Sequence, residues 1–177
     1  EERVRRHNGS VYTQRAPFHL LIDLKTDGVA TYTVLRETLA RYRGMLTEFG
    51  LQAIRTNAIT VILSGNRPRE VLAAETVRYA AIDGRLTDLA ANPSALLVPW
   101  ISDNWAVHFA WRGTGPLPDA QAERLKGYVS QIRAQGRQVR FWGTPDTPEA
   151  WQVLRDAGVD WINTDDLAGL ERVLRGQ

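Results

Sequence analysis

An α/β fold built from consecutive strand-then-helix units is what this 177-residue chain predicts, and three observations carry that class. Strand-like and helix-like patterns alternate from end to end, giving about six β-then-α units. The strands are short, continuous apolar runs, the signature of a parallel sheet covered on both faces. Nearly every strand ends on polar residues: Asp23/Lys25, Ser64/Asn66, Asp83/Arg85, Trp142/Thr144 and Asn163/Asp165. Right-handed crossovers leave an open doubly wound sheet or a closed barrel. No Gly-x-Gly-x-x-Gly or Walker loop follows any strand, which weakens the open sheet, and a ring of polar strand ends around one mouth favours the barrel. The predicted class is thus a (β/α)8 barrel of TIM type with about six of its eight units in this chain, since a complete one takes ~250 residues.

The elements follow in order. Residues 1–16 are a lead-in that opens on a charged helical stretch, Glu1 to Arg6, and reads as a cut into a longer polypeptide. Residues 17–25, Pro-Phe-His-Leu-Leu-Ile-Asp-Leu-Lys, form a strand with Phe18, Leu20, Ile22 and Leu24 on one face. His19, Leu21, Asp23 and Lys25 share the other. A helix is expected over about 29–49, with Val29, Tyr32, Leu35, Leu39, Tyr42 and Leu46 at helical spacing and Gly50 as its stop. Residues 58–64 are a second buried strand, followed by a short helix with Pro68 in its opening turn. A brief strand over 78–82 leads to Asp83-Gly84-Arg85. A segment near 96–101 precedes a strand at 106–111. Asp119 to Gln135 is a helix and Gln138 to Trp142 a strand. Thr147-Pro148-Glu149 opens a helix stopped by Gly158, Val159 to Asn163 is the last strand, and a helix closes the chain with Thr164 or Asp165 as its cap. The whole is read as one domain, 1–177.

Composition excludes several classes. Hydrophobic residues at 44% and charged residues at 24% suit a globular core. A net charge of +2 is too small to argue for a nucleic-acid partner, and no stretch approaches a membrane span. With no Cys there is no disulfide, thiolate metal site or Cys nucleophile. Lys occurs only at 25 and 126, which makes Lys25 unusual beside an acid at a strand tip. A carboxylate two residues before an ammonium suits a divalent cation beside an anionic substrate. A structural Asp23–Lys25 pair is the plain alternative, with the two Cα atoms about 7 Å apart on one face.

The segment Leu20-Leu-Ile-Asp-Leu-Lys25, taken with Gly158-Val-Asp-Trp-Ile-Asn-Thr-Asp-Asp166, resembles the glycerophosphodiester phosphodiesterase superfamily. Asp at 23, Ser64-Gly-Asn-Arg-Pro68, Asp83-Gly-Arg85 and Phe141-Trp-Gly-Thr144 are closer to its phosphatidylinositol-specific phospholipase C-like branch, near the bacterial sphingomyelinase D enzymes. The resemblance covers roughly residues 10–170, and it reads as the C-terminal two-thirds of such a barrel. It implies a phosphoric diester hydrolase acting on a glycerophosphodiester or phospholipid headgroup, with one divalent cation, Mg²⁺ or Ca²⁺. It implies Asp23 as metal ligand, Lys25 as the catalytic and phosphate-binding cation, Trp142 as pocket wall and Asn163 as hydrogen-bond donor. Arg85 is a candidate phosphate grip. The family's two catalytic His and its Glu-x-Asp metal pair are expected upstream of Glu1, because neither pattern occurs later. The resemblance also implies export to a periplasmic or extracellular location.

The remaining candidates have plain readings. His19 and His108 are expected in the core and His7 in water. The other Trp residues fill interior layers or wall a mouth. A competing reading of the whole chain is a non-catalytic, barrel-derived binding or structural domain. In that reading a homo-oligomer, or a complementing N-terminal fragment, completes the edge left by the absent strands.

Overall fold

The computed structural model describes residues 1–176 and divides the chain into two compact units, each a mixed α/β assembly of parallel strands followed by helices. This is the element pattern of a partial TIM-type barrel. The first unit comprises Glu1–Asp83 with Leu96–Pro99. It holds α1 (Glu2–Arg6), β1 (Phe18–Leu24), α2 (Gly28–Arg41), β2 (Glu48–Gly50), β3 (Ile54–Arg55), β4 (Ile59–Gly65), α3 (Arg69–Ala74), β5 (Val77–Arg78) and β6 (Ala81–Gly84), whose last residue falls to the second unit. That second unit, Gly84–Ala95 with the described residues from Trp100 onward, adds a 3-10 turn at Leu86–Asp88. There follow β7 (Trp100–Asn104), α4 (Trp105–His108), α5 (Asp119–Ala134), β8 (Gln138–Trp142), α6 (Pro148–Asp156), β9 (Trp161–Ile162) and α7 (Leu167–Arg175).

In the first unit β4 lies between β1 and β6, parallel to both. Val61, Ile62 and Leu63 are fully buried, so both faces of β4 are covered, as its unbroken apolar run requires. The register sets Asp23 opposite Ser64 and Leu24 opposite Gly65. β1 is the outer strand, and its apolar face is only partly covered: Leu20 is 40% exposed. In the second unit β8 pairs in parallel with β7 and β9, with Asn104 opposite Trp142 and Arg140 opposite Trp161.

Three sequence expectations are corrected. The helix expected over 29–49 ends at Arg41. A turn follows; Leu46 bridges to Ile59, Thr47 N donates to Ile59 O at 2.7 Å, and β2 begins at Glu48. Leu46 is buried as its spacing suggests, but against a strand. β2 pairs antiparallel with β3 and β5 in a small separate sheet, whose strands of two or three residues are too short to show a period-2 pattern. Residues 106–111 are not a strand. Asn104 Oδ1 accepts from Ala106 N at 3.0 Å and starts α4. Trp105 and Phe109, four apart, stack at 4.0 Å and both meet Phe141 edge-on. The helical repeat thereby feeds an aromatic core that strand alternation would split. Finally, the cap of α7 is Asp166, whose side chain accepts from Gly169 N at 2.8 Å, and not Thr164 or Asp165.

Thr164 and Asp165 serve another contact. The Asp146 carboxylate accepts from the Thr164 hydroxyl, from Asp165 N at 2.8 Å and from Trp151 Nε1 at 3.0 Å, tying the loop before α6 to the loop before α7. These donors hold the Asp146 pKa below the ordinary carboxyl value. A carboxyl depressed on folding adds stability that is present above its unfolded pKa and lost as pH falls through the folded one. Asp146→Ala is therefore expected to lower the melting temperature at pH 7 by about 2–4 °C, for about 1 kcal/mol of lost bonding. The gap between wild type and variant should close in acid below about pH 4, read by thermal melts across pH.

Candidate functional site

β1 and β4 end side by side, and their tips carry the first set of predicted residues. Lys25 Nζ lies 2.6 Å from Asp23 Oδ2, with the two side chains 79% and 47% exposed. An ion pair this wet is worth about 1 kcal/mol or less, so either partner exchanges for a ligand at little cost. Next along the row, the Ser64 hydroxyl donates to Asp83 Oδ2 at 2.7 Å; Ser64 is 8% exposed and Asp83 fully buried. Gly65 permits this closeness. Its φ is +68°, and a Cβ there would collide with the Asp23 carboxylate and the Leu24 carbonyl. The loop after β4 is stitched to the loop after β1 by Asn66 N to Leu24 O at 2.8 Å and Asn66 Nδ2 to Thr26 O at 2.9 Å. Gly28 at the start of α2 packs against the Asn66 carbonyl, where no side chain fits.

The donors of this row are all hard oxygens, the set that suits Mg²⁺ or Ca²⁺ rather than a thiophilic metal. Among the described residues no group of three or more His, Cys, Asp or Glu side chains gathers to hold a metal ion. A cation held at this tip would have one exposed carboxylate from the row, with water, substrate or other polypeptide completing its shell. Asp23 is the exposed carboxylate available for that role.

The second unit carries the other predicted residues. Arg85 lies over the Trp142 ring, its guanidinium carbon 4.8 Å from the centroid, while Nη1 donates to Gly84 O at 2.8 Å. Asn163 Oδ1 accepts from Arg140, and its carbonyl accepts from the Thr144 hydroxyl at 3.3 Å. In this structure the Asn163 side-chain oxygen is thus an acceptor for a guanidinium. Trp100 and Trp161, 4.9 Å apart, both donate to Gln138 Oε1. The structure brings Arg85 to Trp142, and Asn163 to Arg140, as two contacts of one unit; Asp23 and Lys25 belong to the other.

Ser64, Asp83 and Arg140 are not singled out as site residues by the sequence pattern. Register was the missing signal: Ser64 lies opposite Asp23, and Asp83 follows Ile82, which pairs with Leu63. The histidines are elsewhere. His19 is half-buried, and burial lowers its pKa from the usual imidazole value. His108 sits on α4 with Nε2 3.4 Å from Asp103 Oδ2 and its ring edge-on to Tyr128. Trp105, Trp111 and Trp151 are buried.

The AIM6-like phosphodiesterase domain model matches residues 2–83, which include Asp23, Lys25, Ser64 and Asp83. The glycerophosphoryl diester phosphodiesterase family model matches residues 138–168, which include Arg140, Trp142 and Asn163. The chain resembles GDPD-like phosphodiesterase domains. It is 27% identical over 176 aligned positions to the Altered inheritance of mitochondria protein 6 of Eremothecium gossypii, covering 86% of this chain and 45% of that protein. The Lachancea thermotolerans protein of the same name is 25% identical over 182 positions, covering 84% and 42%. The chain thus spans less than half the length of these curated relatives. No solved structure matches it.

Ser64→Ala removes a donor from a carboxylate with no access to water. The expected loss is about 1–3 kcal/mol of unfolding free energy, measured by denaturant titration. Gly65→Ala should cost at least as much, because the new Cβ must displace Asp23 or the β1 backbone.

Proposed function

We propose that this chain carries the cation- and phosphate-binding strand ends of a phosphoric diester hydrolase acting on a glycerophosphodiester or phospholipid headgroup. One observation carries the reading: Asp23 and Lys25 meet at 2.6 Å on an exposed strand tip, inside the span that matches the AIM6-like phosphodiesterase domain. A carboxylate and an ammonium so placed have complementary uses. Asp23 would hold a divalent cation, Mg²⁺ or Ca²⁺, with the few protein donors favouring Mg²⁺. When bound, that cation polarises a phosphoryl oxygen. Lys25, released from Asp23, would meet the phosphate as a point charge and stabilise the negative charge that develops there. In the other unit, Trp142 with Arg85 over its ring, and Asn163 held by Arg140, offer flat apolar surface and guanidinium donors of the kind that suits a headgroup.

The histidines that move protons, and further metal donors, would come from polypeptide outside these residues; the relatives are more than twice as long as the stretch they share with this chain. The finer placement near the phosphatidylinositol phospholipase C-like and sphingomyelinase D branch rests on Asp at 23, Ser64-Gly-Asn-Arg-Pro68 and Phe141-Trp-Gly-Thr144. A second reading, a non-catalytic domain that pairs with a second copy, draws support from β1, which is the outer strand of its sheet and leaves Leu20 40% exposed.

Hydrolysis of a chromogenic phosphodiester by the full-length protein should require Mg²⁺ or Ca²⁺. Asp23→Asn should abolish it, and Lys25→Met should lower kcat/KM by about a hundredfold or more, as for loss of one preorganised charge in an active site. Unchanged turnover in Asp23→Asn would remove that residue from the metal site. Absence of turnover with either metal, together with a dimer in sedimentation, would favour the second reading.

A further inference from the structure

A cleft of about 440 Å³ lies in the first unit, away from the strand ends, among α2, the end of α3 and β5. Its walls include Tyr32, Arg36, Leu39, Glu75, Arg78 and Tyr79, none of which belongs to the row at Asp23. That volume is in the range of small-molecule sites. Its polar groups do not balance. Glu75 is already engaged twice, accepting from the Tyr32 hydroxyl at 2.8 Å and from Arg36 Nη1 at 3.1 Å. Glu48 is likewise taken by Arg55 at 3.0 Å and by the Tyr79 hydroxyl at 3.3 Å. Among the residues that line the cleft, Arg36 and Arg78 share the single carboxylate of Glu75, which leaves one positive charge in surplus.

The surplus falls on Arg78. Its residue is 4% exposed, its Nη2 donates to Leu96 O at 2.6 Å, and its guanidinium carbon lies 5.4 Å from the centre of the Phe49 ring. Its Nε finds no acceptor among the described residues. A guanidinium does not give up its proton near neutral pH, so burial at this depth calls for an anion. One backbone carbonyl, one ring face and a share of the Glu75 charge meet that demand only in part. Apolar surface from Leu39, Ala40 and Ala74 lines the same cleft.

We propose that this cleft is a second ligand site, which takes a small singly charged anion, a carboxylate or phosphate monoanion with an apolar body, between Arg78 and Arg36. Glu75 in the same wall repels further negative charge, so the site selects one charge over two. The apolar body rests on Leu39 and the two alanines. The site is independent of the proposed hydrolase chemistry, and its ligand is a modulator rather than the scissile group.

Titration of the purified chain with benzoate, followed by calorimetry, tests the site, with sulfate as the doubly charged comparison. Saturable benzoate binding is expected, tighter than sulfate, weakened about tenfold or more in Arg36→Gln and unaffected in Lys25→Met. Arg78→Met should lose it as well. If that variant does not fold, Arg36→Gln decides alone, because its side chain is 56% exposed and its replacement spares the core. Failure of benzoate to saturate, tighter binding of sulfate, or binding that survives Arg36→Gln would each overturn the proposal. Binding lost in Lys25→Met and kept in Arg36→Gln would assign the anion to the strand-end row, and would overturn it too.

Discussion

The parallel pairing of β1 on β4 is the constraint from which the candidate chemistry follows. β4 is buried on both faces along Val61, Ile62 and Leu63, so polar groups are tolerated only where the strand runs out. The register then decides which groups meet. Asp23 lies opposite Ser64, and Ser64 reaches the buried Asp83 carboxylate. A slip of one residue would turn Asp23 and Lys25 to the opposite face and bring Ile22 and Leu24 to theirs. Gly65 lets the tips close, because its missing Cβ leaves room for the Asp23 carboxylate.

The two strand-end arrays differ in what they offer a ligand. The first is ionic and wet at its tip: an exposed Asp–Lys pair whose members lose little on separation. Behind it stands a buried carboxylate that a hydroxyl helps to satisfy. The second is aromatic and cationic, with Arg85 over the Trp142 ring, Arg140 bonded to Asn163, and Trp100 packed on Trp161. Each unit thus carries its own kind of polar surface. The matches to phosphodiesterase families fall on these two stretches, residues 2–83 and 138–168.

The elements that were legible in sequence share one property: their pattern was long enough to show its period. Strand 17–25, strand 58–64, the helix from Asp119 and the strand from Gln138 all lie where alternation, apolar runs or helical spacing put them. The failures were short or mixed. Residues 42–50 continue a helical spacing yet turn and join a sheet, because Leu46 and Phe49 find buried partners there. Residues 106–111 read as an apolar strand, but Trp105–His108 coil into one helical turn that stacks Trp105 on Phe109.

Asp23 and Lys25 could be singled out from sequence alone, because a rare lysine two residues from an acid at the end of an apolar run is a local pattern. So was the family resemblance, carried by short motifs at both ends of the chain. Ser64 and Asp83 as neighbours of that pair could not be read that way, since neighbours across strands depend on register, and register is a tertiary property. The Arg78 cleft is the clearest case. Arg78 is an ordinary surface residue by composition, on a two-residue strand that no periodicity reveals. Only the folding of α2, α3 and the small antiparallel sheet around it buries its charge and leaves that charge short of a partner.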